Sequence, residues 1–175
     1  MSSETLDQTR NTLSGQGECV FLALGSNLGD RTGHLLHAIE GLKQGGFCVE
    51  KVSAFYETAP VDCEEGTGPF LNGVLQGIWY GSAESLLDLC QSLERKEGRP
   101  EVHSSRESRT LDLDLILFGS HCICTERLIL PHPRAQSRQF VLKGLAGISP
   151  AVTFPDSGKT AAFLLAERIA QEGEL

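Results

Sequence analysis

An α+β sandwich with a mainly antiparallel, ferredoxin-like central sheet is the fold this sequence predicts, and three observations predict it. Segments of strand and helix character follow one another as β-α-β-β-α-β between residues 19 and 118, the order of a split β-α-β sandwich. The chain has 175 residues, 40% hydrophobic and 22% charged, which suits one domain with a real core. No internal repeat and no low-complexity tract interrupts it.

Each element has a local reason. Residues 19–25, CVFLALG, form a short apolar run that reads as a buried strand, broken by GSNLGD. A helix follows to about Lys43, with Asn27 or Asp30 able to cap it and Gly45 and Gly46 to stop it. FCVEKVSAFYE, from Phe47, alternates as a strand. ETAPVDCEEGTGP, residues 57–69, carries two prolines and two glycines and reads as a loop. FLNGVLQGIWY is the next strand, weakened by Gly73 and Gly77. SAESLLDLCQSLERKEG is the clearest helix: Ser82 or Ser85 caps it, Leu86, Leu89, Cys90 and Leu93 fall at helical spacing, and Gly98 ends it. A polar loop leads into a strand over 111–118. PHPRAQSRQFVLKGLAGISP is irregular and then apolar, and TAAFLLAERIAQ closes the chain as a helix. Residues 1–18 are polar, read as a flexible tail, and lack the apolar centre of a secretion signal, leaving 19–175 as the single domain.

The formal net charge of −8 argues against a general nucleic-acid binder or a binder of anionic membranes. No apolar run is long enough to span a bilayer. The six cysteines show no CxxC spacing and accompany no export signal, so reduced thiols in a cytoplasmic protein are expected. Positive charge gathers in RKEGRPEVHSSRESR, which holds Arg95, Lys96, Arg99, Arg106 and Arg109. A local basic patch in an acidic protein suits a small polyanionic ligand.

RTLDLDLILFG, residues 109–119, carries the chemistry. On a strand, Leu111, Leu113, Leu115 and Leu117 point one way, and Asp112, Asp114, Ile116 and Phe118 the other. The two carboxylates then stand about 6.5–7 Å apart on one face. A solvated polar face is the plain reading, but Ile116 and Phe118 share that face. A divalent cation would convert the repulsion into coordination, and Mg²⁺ favours few carboxylates plus phosphate oxygens. Arg99 and Arg109 bracket the preceding loop, and His132, Arg134 and Arg138 occupy another; arginine forks match phosphate oxygens. GSNLGD lacks both the G-x-G-x-x-G spacing and a P-loop lysine, so it reads as a tight turn with a helix cap. His34 and His37 read as surface residues. Phe70 and Phe140 read most simply as core; facing a cleft, they could sandwich a flat heterocycle whose edge Asn72 would meet.

ALGSNLGDR, SAFYETAPV, FLNGV, LERKEGR, RTLDLDLILFG and LPHPRAQSRQFVL, in this order, resemble the 6-hydroxymethyl-7,8-dihydropterin pyrophosphokinase family of folate synthesis. The resemblance implies Mg²⁺-dependent transfer of diphosphate from ATP to the pterin hydroxymethyl group, releasing AMP. By the same resemblance, Asp112 and Asp114 would bind two Mg²⁺ ions, and Arg99 and Arg109 would grip the triphosphate. Phe70 and Phe140 would stack on the pterin, with Thr58, Asn72 and the Val61 backbone reading its edges. Gln91, Glu94, Leu115, Arg127, Ile129, His132 and Arg138 would line the ATP side. Residues 99–109 would form a lid, here with Arg106 and no tryptophan between PEVHSS and ES. A monomer acting on these small molecules, without nucleic acid or membrane, is expected. A two-metal nuclease, a D-x-D nucleotide-sugar transferase and a non-enzymatic ferredoxin-like binding module are the rival readings.

Overall fold

The computed structural model describes residues 16–60, 68–98 and 108–175. Strand β1 (Glu18–Ser26) is followed by α1 (Arg31–Gln44), β2 (Cys48–Val52), β3 (Tyr56–Thr58), β4 (Phe70–Trp79), α2 (Ala83–Lys96) and β5 (Asp112–Phe118). A short ribbon of β6 (Ile123–Cys124) and β7 (Ile129–Leu130), then α3 (Gln139–Ile148) and α4 (Ala161–Glu172), complete the chain. The sheet order is β2-β4-β1-β5, with β3 on the remaining length of β4 and every pairing antiparallel. This is the expected ferredoxin-like α+β sandwich. Among the described residues no helix is long and apolar enough to cross a membrane.

Helices α1 and α2 cover one face, where Val20, Leu22 and Leu24 of β1 meet Leu35, Leu42, Leu86 and Leu93. Helix α3 covers the other, where Phe21, Ala23 and Val74 meet Val141, Leu142 and Leu145, with α4 packed on α3. Alternation along β1 thus feeds two cores at once, which is why its run from Cys19 to Leu24 is apolar. Asp30 caps α1 by accepting from the Gly33 N–H at 3.0 Å, and Ser82 caps α2 through the Ser85 N–H at 3.1 Å. Asn27 is therefore free of the capping role and available for another.

Two expectations are corrected, and the expected strand over 70–80 is borne out as β4. The strand foreseen from Phe47 onward divides into β2 and β3, because Ser53 interrupts the ladder. Its N–H reaches Val74 O at 2.8 Å while its hydroxyl takes the Val74 N–H at 2.9 Å. The glycines of β4 admit aromatic rings and do not break the strand: a Cβ on Gly73 would lie 2.7 Å from the Phe55 ring, and one on Gly77 2.3 Å from that of Phe47. The strict alternation read into β5 fails at its end. Phe21 pairs Leu117 but Leu22 pairs Leu115, so Ile116 is an extra residue on β5. Beyond that bulge Leu117 joins the α3 core and Phe118 the α1–α2 core, the reverse of simple alternation.

Gly144 brings α3 close to the sheet. A Cβ there would stand 2.4 Å from Val74 Cγ2 and 2.9 Å from the Tyr56 hydroxyl. Gly144→Ala is therefore expected to destabilise the fold by about 1–3 kcal/mol despite alanine's better helix propensity, read as a lower thermal midpoint.

Candidate active site

One row of the sheet assembles the site. Tyr56 pairs Asn72, Asn72 pairs Gly25, and Gly25 pairs Asp112, across β3, β4, β1 and β5. Facing partners share a side of the sheet, and two rows along, on the same side, Val74, Ala23 and Asp114 lie toward α3. Both carboxylates therefore emerge on the α3 face. Gly25 leaves a trough between the halves of the row: an added Cβ would lie 3.0 Å from Asn72 Oδ1, 3.7 Å from Phe70 Cδ1 and 4.0 Å from Asp112 Cβ.

Cations surround the carboxylates. Asp112 Oδ2 accepts from Arg109 Nη1 at 2.9 Å. Asp114 Oδ2 lies 3.6 Å from Arg138 Nη1 and 3.9 Å from His132 Nε2. His132 N binds Ile116 O, which ties the loop after β7 to the bulge. The Arg134 N–H donates to His132 Nδ1 at 3.1 Å, so the neutral ring carries its proton on Nε2, toward Asp114. Burial, with Arg138 and Arg134 nearby, pushes the His132 pKa down to about 4. Burial likewise lowers the pKa of Arg138, helped by Arg134 and opposed by Asp114 and Asp112.

The donor set fits a hard divalent ion. The Asp112 and Asp114 side chains keep 23% and 33% of their exposure, enough to reach an ion at the site mouth. Among the described residues no group of three or more His, Cys, Asp and Glu stands ready as a complete metal cage. Two carboxylates alone match the habit of Mg²⁺, which fills the rest of its octahedron with water and phosphate oxygens.

The expected heterocycle slot lies across the trough. Asn72 Nδ2 donates to Thr58 Oγ1 at 2.7 Å, and both residues are buried. Phe70 and Phe140 are half-buried, so neither belongs fully to a core. The Arg138 guanidinium lies 5.6 Å from the centre of the Phe140 ring, linking that ring to Asp114. Val61 and Arg99, also foreseen as site residues, lie outside the described residues.

On the other side of β5, which is the edge strand, Asp114, Leu115, Arg127, Ile129 and His132 line a cleft of about 280 Å³. Five expected residues thus converge there. Gln91 is half-buried on α2 and is not part of that lining. Glu94 is buried at 6% exposure, and its Oε1 accepts the Leu113 N–H at 2.8 Å, beneath the strand that carries both aspartates. Arg127 pairs with Asp88 at 2.6 Å in the open.

The GSNLGD turn does more than its sequence suggests. Asn27 Oδ1 takes the Arg109 N–H at 2.7 Å, Asn27 N reaches Arg109 O at 3.1 Å, and Asn27 Nδ2 donates to Ser108 Oγ at 3.3 Å. Arg31 Nη1 donates to Pro69 O at 2.9 Å while its other nitrogen pairs with Glu57. His34, expected as a plain surface residue, is half-buried and pairs through Nδ1 with Glu97. The only signal for these roles was a run of polar side chains beside a strand end, which does not name a partner.

Residues 21–150 match the family model described as 7,8-dihydro-6-hydroxymethylpterin-pyrophosphokinase. A Bacillus subtilis protein named 2-amino-4-hydroxy-6-hydroxymethyldihydropteridine pyrophosphokinase is 43% identical over 134 residues, which is 75% of this chain and 78% of that protein. A mitochondrial folate synthesis bifunctional protein of Arabidopsis thaliana is 36% identical over 147 residues, 84% of this chain and 26% of that protein. The Pneumocystis carinii folic acid synthesis protein fol1 is 36% identical over 157 residues, 90% of this chain and 21% of that protein. The chain thus spans about a quarter of the length of these two longer relatives. A crystal structure of wild-type Plasmodium falciparum HPPK-DHPS with pteroate superposes with a TM-score of 0.71 at 13% identity, covering 89% of this chain and 45% of that one. At that identity the likeness shows the fold.

Proposed function

This chain belongs to the 7,8-dihydro-6-hydroxymethylpterin-pyrophosphokinase family, and on that premise we propose that it transfers diphosphate from ATP to the hydroxymethyl group of 6-hydroxymethyl-7,8-dihydropterin, releasing AMP, in folate synthesis. The hydroxymethyl oxygen attacks the β-phosphorus, the bond from that phosphorus to the α–β bridging oxygen breaks, and AMP leaves with that oxygen while the hydroxyl proton is lost.

The observation that carries this reading is the single sheet row that sets Asn72 and Asp112 on either side of the Gly25 trough. A planar ring held by Asn72 and Thr58 between Phe70 and Phe140 would present its substituent toward Asp112 and Asp114. Arg109 and Arg138 stand beside those carboxylates, where they would meet phosphate oxygens and steady the charge that develops on them. Two Mg²⁺ ions on Asp112 and Asp114 would neutralise and orient the polyphosphate. Leu115, Ile129, Arg127 and His132 would hold the nucleotide in the cleft beside β5. Arg99 and Val61 belong to the proposal by their place in the sequence, as do the lid over 99–109 and the polar tail foreseen over 1–18, whose last residue, Glu18, instead opens β1. No covalent intermediate on the protein is needed, since positioning and electrostatic stabilisation supply the rate. A cytoplasmic monomer is proposed as its working form; the five described cysteines are free thiols, in keeping with a reducing compartment.

The test is incubation of the purified chain with ATP, Mg²⁺ and the hydroxymethyl pterin. AMP and pterin diphosphate in equal amounts are expected, and ADP in place of AMP, or no pterin product, refutes the assignment.

A further inference from the structure

We propose that Tyr56 is a positioning residue that sets the width of the pterin slot by tethering the backbone of Phe140 to the sheet. The inference rests on the reading of that slot given above. Its basis is geometric. Strand β3 has three residues, and alternation turns Tyr56 and Thr58 to the α3 side and Glu57 to the other, where Arg31 holds it. The Tyr56 hydroxyl donates to the Phe140 carbonyl, 84 positions away in the chain.

The helix is shaped to receive that phenol. Gly144, one turn beyond Phe140, leaves the space in which a Cβ would stand 2.9 Å from the Tyr56 oxygen. Lys143 Nζ lies 5.5 Å from the centre of the Tyr56 ring, on the same helix. Meanwhile Tyr56 pairs Asn72 in register, and Asn72 donates to Thr58 two residues farther along. One short strand therefore carries both an edge-reading hydroxyl and the tether of the stacking ring. The distance between them is set by Tyr56 and not by the length of the intervening chain.

Burial raises the phenol's pKa, so it remains a donor throughout the neutral range. Dispersion contacts fall steeply with a radial gap of 0.5–1 Å, so a Phe140 ring released from its tether would lose stacking on the pterin. ATP, bound on the far side of Asp114, would lose nothing.

Tyr56→Phe removes one oxygen and keeps the ring that packs under Lys143. The expected result is a pterin KM raised about 3- to 10-fold, from the loss of one hydrogen bond, with kcat and the ATP KM within about twofold of the parent. Circular dichroism and the thermal midpoint report on folding in parallel. An unchanged pterin KM in the active variant overturns the positioning role. So does a parallel loss in kcat and in both KM values, which marks general damage. If the parent chain itself forms no AMP from the two substrates, the slot reading fails instead, and the two failures are told apart by that one control.

Discussion

Asp114→Asn is expected to lower turnover by about a thousandfold or more while leaving the fold in place. Removing the charge strips a hard-ion ligand, and charge stabilisation of that kind is worth several kcal/mol in the transition state. The structural cost is expected to be small, since Asp114 keeps 33% of its side-chain exposure and its pairs with Arg138 and His132 span 3.6 and 3.9 Å. Exposed or half-exposed pairs of this sort contribute about 0–1 kcal/mol. Asp112→Asn is expected to match it in activity. Its stability should fall slightly more, since Arg109 binds Asp112 at 2.9 Å with 13% of its own side chain exposed. Steady-state rates over a Mg²⁺ titration, with thermal unfolding of the same samples, provide the measurement. Normal turnover in either variant refutes the metal assignment.

Glu94→Ala should act the other way, through the fold. Its carboxylate accepts the Leu113 N–H at 2.8 Å in a site with 6% exposure, and Leu113 lies between the two aspartates. Truncation leaves a buried donor unsatisfied and opens a cavity, at a combined cost of about 2–4 kcal/mol. Turnover should drop as well, because the strand that aims both carboxylates loses its support from α2. Glu94→Gln keeps an oxygen for the Leu113 N–H and is expected to retain most of the stability and activity. If Glu94→Gln instead abolishes turnover at an unchanged thermal midpoint, the charge itself acts on the nucleotide and the supporting role is wrong.

How legible the site was depends on how local each feature is. The carboxylate pair was readable because i, i+2 spacing on a strand needs no knowledge of the rest of the chain. Phe70, Phe140 and Asn72 were weighed from the residues as core or as a slot for a flat ring, Thr58 was named from resemblance, and pairing across β3 and β4 shows why Thr58 and Asn72 meet. His34 and Asn27 were misjudged because their partners, Glu97 and Arg109, are 63 and 82 positions away. Helix α3 was blurred by prolines at 131 and 133 and glycines at 144 and 147, although Val141, Leu142 and Leu145 hold its apolar stripe.

By itself the sequence determined the β-α-β-β-α-β order between residues 19 and 118, the burial of β1 and the carboxylates side by side on β5, since short-range periodicity dictates all three. Tertiary structure alone decided the bulge at Ile116, the trough at Gly25, the grip of Asn27 on Arg109 and the reach of Tyr56 to Phe140. These depend on strand register and on how closely a helix settles onto the sheet. Packing sets such quantities between segments far apart in the chain, and no local pattern encodes them.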